Sequence, residues 1–408
     1  MPLDRITEVL QNHVADLERK GTAKGAETVV TKVIPPSGDR GPRFLLEGHG
    51  DREFIRMNSN SYLGMGLRAE IIEAEEQGAR AFGAGPGAVR FISGTYAPHV
   101  ELERRLAAFH GREAAMIFSS AYATIVGVIT PLVSAETIVI SDELNHNSII
   151  NAIRLSRPLD KAVYPHLDMG ALEKAIEAAA GRAERVVVIT DGIFSMRGDH
   201  APLDVIVDIA RRHDDKFPEN ILVVVDDSHG VGAFGATGRG TEEYTGSPQV
   251  DVLIGTLGKA FGVNGGYVVS TEAVIRYLRE TAPFYIYSNP ITPGEATAAL
   301  KALEILDSPR GRELLDRLRS LTRRFEQGLI DAGFEVIPGE HPVVPLLVRD
   351  TMKTRALVAH LFEHGVLATG LAYPVVPRGD EEIRFQINAD HTEADIDYVL
   401  EVLRKFRG

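Results

Sequence analysis

Short apolar segments alternate with helical patterns along the chain from about residue 99. The apolar segments are continuous runs rich in β-branched residues, and they read in chain order AAMIF, ETIVI, RVVVIT, ILVVVD and DVLIG. Helical patterns such as HVELERRLAAFHG, HNSIINAIRLS and PLDVIVDIARRH lie between them. Continuous apolar strands separated by helices predict an α/β fold, with a mostly parallel sheet that is covered by helices on both faces.

The pattern changes at both ends of the chain. After Pro293, two long helical patterns lead into the strand patterns FEVIP, VVPLLV and EIRFQI, which indicates a separate, smaller α+β unit. The N-terminus is an amphipathic helical pattern ending near Gly21, and residues 40–57 are typical of a hairpin or edge strands. We therefore expect three parts: an N-terminal helix and hairpin segment (1–58), a large domain (59–293) and a small C-terminal domain (294–408).

The composition narrows the class of protein. The net charge of -13 at pH 7 argues against nucleic acid or an anionic membrane as the main partner. The chain has no cysteine, which excludes disulfides, thiolate nucleophiles and Cys-ligated metals, and we expect no metal site. The charged N-terminus lacks the apolar core of a signal peptide, and no apolar run is long enough to span a bilayer. We expect a cytoplasmic protein without membrane attachment.

One lysine, Lys259, stands in the glycine-rich run GTLGKAFGVNGG (255–266). A phosphate loop of the G-x-x-x-x-G-K-[ST] type does not fit, because Leu253 replaces its first glycine and Ala260 its hydroxyl residue. The run GAGPGA (83–88) matches a dinucleotide fingerprint by letter, but it follows a helical pattern rather than a strand. The simplest remaining alternative for Lys259 is a solvated loop lysine.

Two further polar residues are expected to share a crevice with Lys259. Asp226 and His229 follow the strand ILVVVD, and DVLIG ends just before Thr256 and Lys259. Ligands of open α/β sheets bind beyond the carboxyl ends of the strands. A lysine there can form a Schiff base with a carbonyl cofactor, and an aspartate can stabilise a protonated pyridine nitrogen. Asp226 could instead cap a turn and His229 could be structural, but together they predict a pyridoxal phosphate site.

With these residues in place, the chain resembles the α-oxoamine synthases, fold-type-I pyridoxal phosphate enzymes that condense an amino acid with an acyl-CoA. Blocks typical of that family occur in order over nearly the whole length: NSYLGMG, VRFISGT, FSSAYA, SDELNHNSI, DGIFSMRGD, VDDSHGVGAFGATGRG, GTLGKAFG, YSNP and YPVVPRGDEEIRFQI. The resemblance implies an aspartate-aminotransferase-like fold, with a mostly parallel central sheet in a large domain. It also implies an obligate homodimer whose active sites are shared between subunits.

The resemblance assigns roles around the cofactor ring. Lys259 is expected to carry the cofactor as an aldimine and later to move the α-proton. Asp226 is expected to pair with the pyridine nitrogen, and His229 to hydrogen-bond the phenolic oxygen. His146 matches the histidine that stacks on the ring, although it could merely enter a helix. Ser195 matches a serine that orients the ring or the substrate.

Other positions are expected to hold the cofactor phosphate and the substrate. Backbone N–H groups at a helix start can bind the phosphate, and the neighbouring subunit can add a serine. The residues implied for the phosphate are Ser120, Ala121, Tyr122, Thr256 and, from the partner subunit, Ser288. Arg384 matches the arginine that binds the amino acid's carboxylate through its guanidinium fork, and Asn60 matches an asparagine that lies near the substrate carboxylate or carbonyl. Ser288 could otherwise be a turn residue, and Arg384 an exposed strand residue.

Within the family, the blocks are most similar to glycine C-acetyltransferase, which condenses glycine with acetyl-CoA to 2-amino-3-ketobutyrate through a quinonoid. Two features depart from that pattern: Arg197, where an acidic residue is usual, and the segment AYAT. The alternative is a synthase that uses another acyl-CoA, of the 8-amino-7-oxononanoate, 5-aminolevulinate or serine palmitoyltransferase type. An aminotransferase would share the lysine and the aspartate, and an inactive scaffold subunit is a further alternative.

Overall fold

The computed structural model describes residues 3–20, 22–373 and 376–407. The chain begins with a helix and three short strands, which are α1 (Asp4–Arg19), β1 (Val30–Ile34), β2 (Arg43–Leu46) and β3 (Ile55–Arg56). Helix α1 ends close to the predicted position, and Gly21 lies outside the described residues. Strands β1 and β2 form an antiparallel hairpin, so the hairpin begins earlier than predicted. Strand β1 is mostly exposed and lacks the apolar run that would have identified it.

A seven-stranded sheet forms the centre of the molecule. Helices α2 (Ala69–Phe82) and α3 (Ala97–Phe109) precede it in the chain. Its strands are β4 (Ala114–Phe118), β5 (Thr137–Asp142), β6 (Asp160–Tyr164), β7 (Arg185–Asp191), β8 (Ile221–Asp226), β9 (Val252–Thr256) and β10 (Gly266–Ser270). They lie in the order β4-β10-β9-β8-β7-β5-β6, and β10 runs antiparallel to both of its neighbours. The pairs from β6 to β9 are parallel, which confirms the predicted, mostly parallel sheet.

Both faces of this sheet are buried. In β7, Val186 and Val188 pack into one apolar cluster, while Val187 and Ile189 pack into another on the opposite face. This two-sided burial explains why the strands are continuous apolar runs. The helices that follow β4 are α4 (Ala121–Leu132), α5 (Asn147–Ser156), α6 (Met169–Ala179), α7 (Leu203–His213), α8 (Thr241–Thr245), α9 (Glu272–Thr281) and α10 (Pro283–Ile286). Within the described ranges, no helix is both long and apolar enough to cross a bilayer.

The C-terminal part contains a second sheet of four strands. Its helices are α11 (Pro293–Leu306), α12 (Pro309–Asp331), α13 (Thr351–Glu363) and α14 (Glu393–Lys405). Its strands are β11 (Glu335–Val336), β12 (Val343–Leu347), β13 (Val366–Leu367), β14 (Thr369–Leu371) and β15 (Glu382–Gln386). The antiparallel order is β11-β12-β15-β14, while β13 pairs with β3. Helix α11, most of which was assigned to the small domain, packs against α2 and α3 of the predicted large domain. The predicted domain bounds therefore stay a prediction. The YPVVPRG block includes Pro374 and Val375, which lie outside the described residues.

A buried ion pair joins the N-terminal hairpin to the last helix. The Arg43 guanidinium lies 2.5 Å from an Asp395 carboxylate oxygen, and Gly41 N–H donates to the other oxygen at 2.9 Å. Replacing Arg43 with methionine is expected to lower the free energy of unfolding by about 3 kcal/mol, because it leaves a buried carboxylate without its cation. Denaturant unfolding measures this loss. The control is Arg324→Met, which breaks an exposed pair with Asp397, a residue of the same helix as Asp395. It should cost less than about 1 kcal/mol. Equal losses in the two variants would contradict the expectation.

Candidate active site

The carboxyl ends of neighbouring strands bring four titratable side chains to one edge of the central sheet. Asp191 ends β7 and lies directly across from Asp226, which ends β8. Lys259 stands in the loop after β9. His146 lies at the start of α5, and its backbone N–H donates to Asp191 Oδ2 at 2.9 Å. The strand order therefore places Asp226 and Lys259 at the same crevice, where the sequence predicted them.

A cleft opens at this edge. Its walls contain seven of the predicted site residues, namely Lys259, Asp226, His229, His146, Ser195, Ala121 and Tyr122. His146 also starts its helix, with its ring Nδ1 accepting from Ser148 N–H at 3.3 Å, while its stacking on a cofactor ring stays a prediction. Burial and the nearby Lys259 lower the pKa of His146, while Asp226 opposes this shift. His146 therefore presents a mainly neutral ring to the cleft at neutral pH.

The remaining predicted residues lie outside the walls of this cleft. Ser120 precedes α4, and its hydroxyl accepts from Ala123 N–H at 3.1 Å. The Thr256 hydroxyl accepts from Gly258 N–H at 3.1 Å and donates to the Gly265 carbonyl at 3.2 Å, so it braces the Lys259 loop. Ser288 lies in the loop between α10 and α11. Its expected contribution to a partner subunit's site stays a prediction.

Lys259 has the electrostatic environment of a reactive amine. Burial lowers its pKa from 10.5 to about 8, with Arg384 acting in the same direction, while Asp226 and Asp191 oppose the shift. Burial disfavours the ammonium because charge is poorly solvated away from water. A substantial fraction of Lys259 is therefore the free amine at mildly alkaline pH, and the free amine is the form that attacks a carbonyl.

This pKa shift predicts how the reaction with an aldehyde depends on pH. The rate at which the cofactor-free protein attaches pyridoxal phosphate should rise as the pH passes through about 8, as the ammonium loses its proton. The same shift makes folding more favourable as the pH rises from about 8 toward 10.5, because the penalised cation is removed. Stopped-flow absorbance from about pH 6.5 to about pH 10 measures the rate, with Lys259→Ala as the control. A rate that rises only near the ordinary lysine pKa would contradict the shift.

A chain of polar groups connects the cleft to the C-terminal sheet. The Tyr62 hydroxyl lies 2.7 Å from His229 Nδ1, and Tyr62 also hydrogen-bonds Arg384. Arg384 donates to Asn60 Oδ1 at 2.9 Å, so the predicted pair of substrate residues is in direct contact. Burial, with Lys259 and Arg384 nearby, lowers the pKa of His229 well below its usual range. Burial also raises the pKa of Tyr62, so its O–H is retained to donate. A neutral His229 that accepts at Nδ1 carries its proton on Nε2.

Tyr62 is held in an unusual backbone conformation. Its φ is 31°, and its side chain is fully buried. A bulky residue in the left-handed region costs on the order of 1 kcal/mol or more, so the surrounding packing must hold it there. This conformation places the hydroxyl between His229 and Arg384.

Comparison with known proteins agrees with this geometry. The family model for class I and II aminotransferases matches residues 52–403. The chain is 41% identical to 8-amino-7-oxononanoate synthase of Symbiobacterium thermophilum over 365 residues, which is 89% of this chain and 90% of that protein. It is 39% identical to 8-amino-7-oxononanoate synthase 1 of Bacillus velezensis over 367 residues, 90% of each. The chain belongs to the α-oxoamine synthase family.

The fold comparison supports the same family. The structure of Sphingomonas wittichii serine palmitoyltransferase superposes with a TM-score of 0.88 at 26% identity, covering 99% of this chain and 97% of that one. The expected fold-type-I architecture is confirmed. The Symbiobacterium and Bacillus relatives carry the name of the 8-amino-7-oxononanoate synthases, so they favour that alternative over the glycine C-acetyltransferase assignment.

Enzymes of the α-oxoamine synthase family use pyridoxal phosphate, and the residues of this cleft fit it. Ala121 and Tyr122 form the first turn of the twelve-residue helix α4, whose unpaired N–H groups suit a phosphate dianion. Asp226 offers a carboxylate to a pyridine nitrogen. The Ser228 hydroxyl lines the cleft and is buried without a hydrogen-bond partner among the described residues, as expected of a group whose partner is a ligand. Lys259 supplies the amine for the aldehyde.

The sequence predicted no role for Asp191, Tyr62 or Ser228, which belong to this α-oxoamine synthase site. Asp191 ends its strand just as Asp226 does, so the strand-end rule could have identified it. Tyr62 lies in the NSYLGMG block and Ser228 in VDDSHG, but neither was assigned a role. The contact of Tyr62 with His229 joins segments far apart in the chain, which spacing cannot reveal.

Proposed function

We propose that the protein condenses an amino acid with an acyl-CoA in a reaction of the 8-amino-7-oxononanoate synthase type. The observation that carries this proposal is a cleft with Lys259, Asp226 and His229 in a chain at least 39% identical to two such synthases over most of its length. A substrate pair of glycine and acetyl-CoA is the second candidate, because the sequence blocks resemble glycine C-acetyltransferase.

The proposed product defines its precursors by carbon count. The new carbon–carbon bond joins the ketone carbon, which comes from the thioester, to the carbon that bears the amino group. A nine-carbon acid with a ketone at the seventh carbon and an amine at the eighth requires a seven-carbon dicarboxylic acyl group and alanine. The thioester carbon–sulfur bond breaks and CoA leaves as the thiol. The amino acid's carboxylate leaves as carbon dioxide, and a proton replaces it.

The residues divide this reaction among them. When bound, pyridoxal phosphate supplies an electron-withdrawing ring that stabilises negative charge at the amino acid's α-carbon. Lys259 accepts the α-proton, a role suited to an amine whose pKa lies near 8. Arg384 and Asn60 bind the amino acid's carboxylate. His229, which accepts from Tyr62 at Nδ1, would donate from Nε2 to the phenolic oxygen of the cofactor. Asp226 would pair with the ring nitrogen. We also propose a homodimer with shared active sites, to which Ser288 contributes. A cytoplasmic location is part of the same proposal.

Thiol release from a panel of acyl-CoAs tests the proposal. The cofactor-loaded protein receives alanine or glycine with acetyl-, succinyl-, heptanedioyl- or palmitoyl-CoA. The highest kcat/KM is expected with alanine and heptanedioyl-CoA. A preference for glycine and acetyl-CoA would establish the second candidate instead. If no thiol is released and an amino acid alone converts the cofactor to its amine form, the protein is an aminotransferase.

A further inference from the structure

A second cavity adjoins the catalytic cleft. Its volume is about 540 Å³, and it shares Ser195 with the cleft that contains Lys259. Apolar walls come from Phe194 and Met196 on one side and from Ile337 and other residues of the C-terminal part on the other. A partly apolar chamber that adjoins the cleft of the reacting lysine has the position and the lining needed for an acyl chain.

The chamber wall contains an arginine with spare hydrogen-bonding capacity. Arg197 uses Nε to pair with Asp199 at 2.8 Å, and its side chain is 40% exposed. Its two terminal nitrogens donate no hydrogen bond to any of the described residues. A guanidinium presents these nitrogens as a planar fork that matches a carboxylate. Arg197 stands where an acidic residue is usual in the glycine C-acetyltransferase pattern that the sequence resembles.

Two of the other charged residues in the wall are bound to neighbouring protein groups, and a third has a carboxyl oxygen without a hydrogen-bond partner among the described residues. Arg349 is committed to Glu335 and Asp380. Glu143 accepts from the His166 backbone N–H at 2.8 Å. Glu382 is 3% exposed, and its Oε1 has no hydrogen-bond partner among the described residues. Burial raises the pKa of Glu382 to about 7, although Arg384 and Arg197 oppose the shift.

Glu382 does not repel an acidic ligand as an ordinary glutamate would. Near neutral pH a large fraction of its carboxyl is protonated, and a protonated carboxyl can donate a hydrogen bond. Arg197 and Glu382 can therefore both donate to a carboxylate in the same chamber. Of the other two acidic residues, Asp380 pairs with Arg349, and Glu143 accepts a hydrogen bond from a backbone N–H.

We propose that this chamber receives the acyl chain of the thioester and that the terminal nitrogens of Arg197 bind a carboxylate at its far end. The protein thereby selects dicarboxylic over monocarboxylic acyl groups. This inference rests on the proposed acyl-CoA condensation, and it makes Arg197 a residue that determines specificity.

The test compares heptanedioyl-CoA with heptanoyl-CoA, which has the same chain length and a methyl end. For the native protein, kcat/KM for thiol release is expected to be about 10- to 100-fold higher with the dicarboxylic thioester, as expected for a charged hydrogen-bonded pair. Arg197→Gln should lose most of this preference through a higher KM, and it should change the heptanoyl-CoA rate less than about threefold. Arg349→Gln removes a cation from the same wall but should retain the preference.

The outcomes separate this inference from the function on which it rests. Equal losses with both thioesters in Arg197→Gln, or no dicarboxylic preference in the native protein, would overturn the role of Arg197. If that variant does not fold, Arg197→Lys serves instead: it keeps the charge but not the fork, and a retained full preference would overturn the role. Absence of thiol release from every acyl-CoA in the native protein would refute the condensation itself.

Discussion

Replacing Lys259 with alanine is expected to lower the steady-state rate of thiol release by about 10³-fold or more. The variant loses both the amine that attaches the cofactor and the base that removes the α-proton. Burial lowers the pKa of the Lys259 amine to about 8, and solvent cannot replace a base held in this position. The measurement is thiol release over many turnovers, with the native protein's best amino acid and acyl-CoA.

A surface lysine provides the matched control for this prediction. Lys301 lies on α11 and pairs with Glu304, so Lys301→Ala should leave the rate within about twofold. Cofactor binding in Lys259→Ala is followed by absorbance, which separates a lost chemical step from a lost cofactor. Sustained turnover by a cofactor-loaded Lys259→Ala variant would remove this residue from the reaction.

The central sheet could be predicted because both of its faces are buried. Apolar runs such as RVVVIT reveal a strand when every side chain enters a core. The same rule missed β6, whose residues are largely exposed. It also missed β10, a short antiparallel strand directly after the Lys259 loop. The pairing of β3 with β13 joins two-residue segments that are distant in the chain, and no local pattern encodes such a contact.

The position of a cleft residue could be predicted where the residue follows a strand end. It could not be predicted where the position depends on strand register or on a contact between distant segments. Asp226 and Lys259 follow consecutive apolar runs, and their meeting required only that those strands be neighbours. That Asp191 lies beside Asp226 depends on the alignment of β7 with β8. Tyr62 contacts His229 from a backbone position with positive φ, a conformation that a tyrosine in the sequence does not predict.

Replacing Asp226 with asparagine is expected to lower kcat by about 10²- to 10³-fold, the loss typical when one electrostatic contact to a developing charge is removed. The amide preserves the shape of the side chain but cannot stabilise a protonated ring nitrogen. Thiol release measures kcat, and the absorbance of the bound cofactor shows whether it still binds. The hydrogen bond at 3.1 Å from Ser228 N–H to Oδ1 can persist in the variant, so the loop should keep its position.

Asp191→Asn is the matched comparison, because the two carboxylates lie side by side on neighbouring strands. Burial and the negative charge of Asp226 raise the pKa of Asp191 well above its ordinary value, so a neutral amide resembles the protonated form of this side chain. Its oxygen can still accept from the His146 N–H. We expect a loss of less than about tenfold in kcat. The order of the two losses therefore identifies the carboxylate that serves the ring nitrogen: if Asp191→Asn is the more damaging change, Asp226 is the supporting residue and Asp191 holds the cofactor.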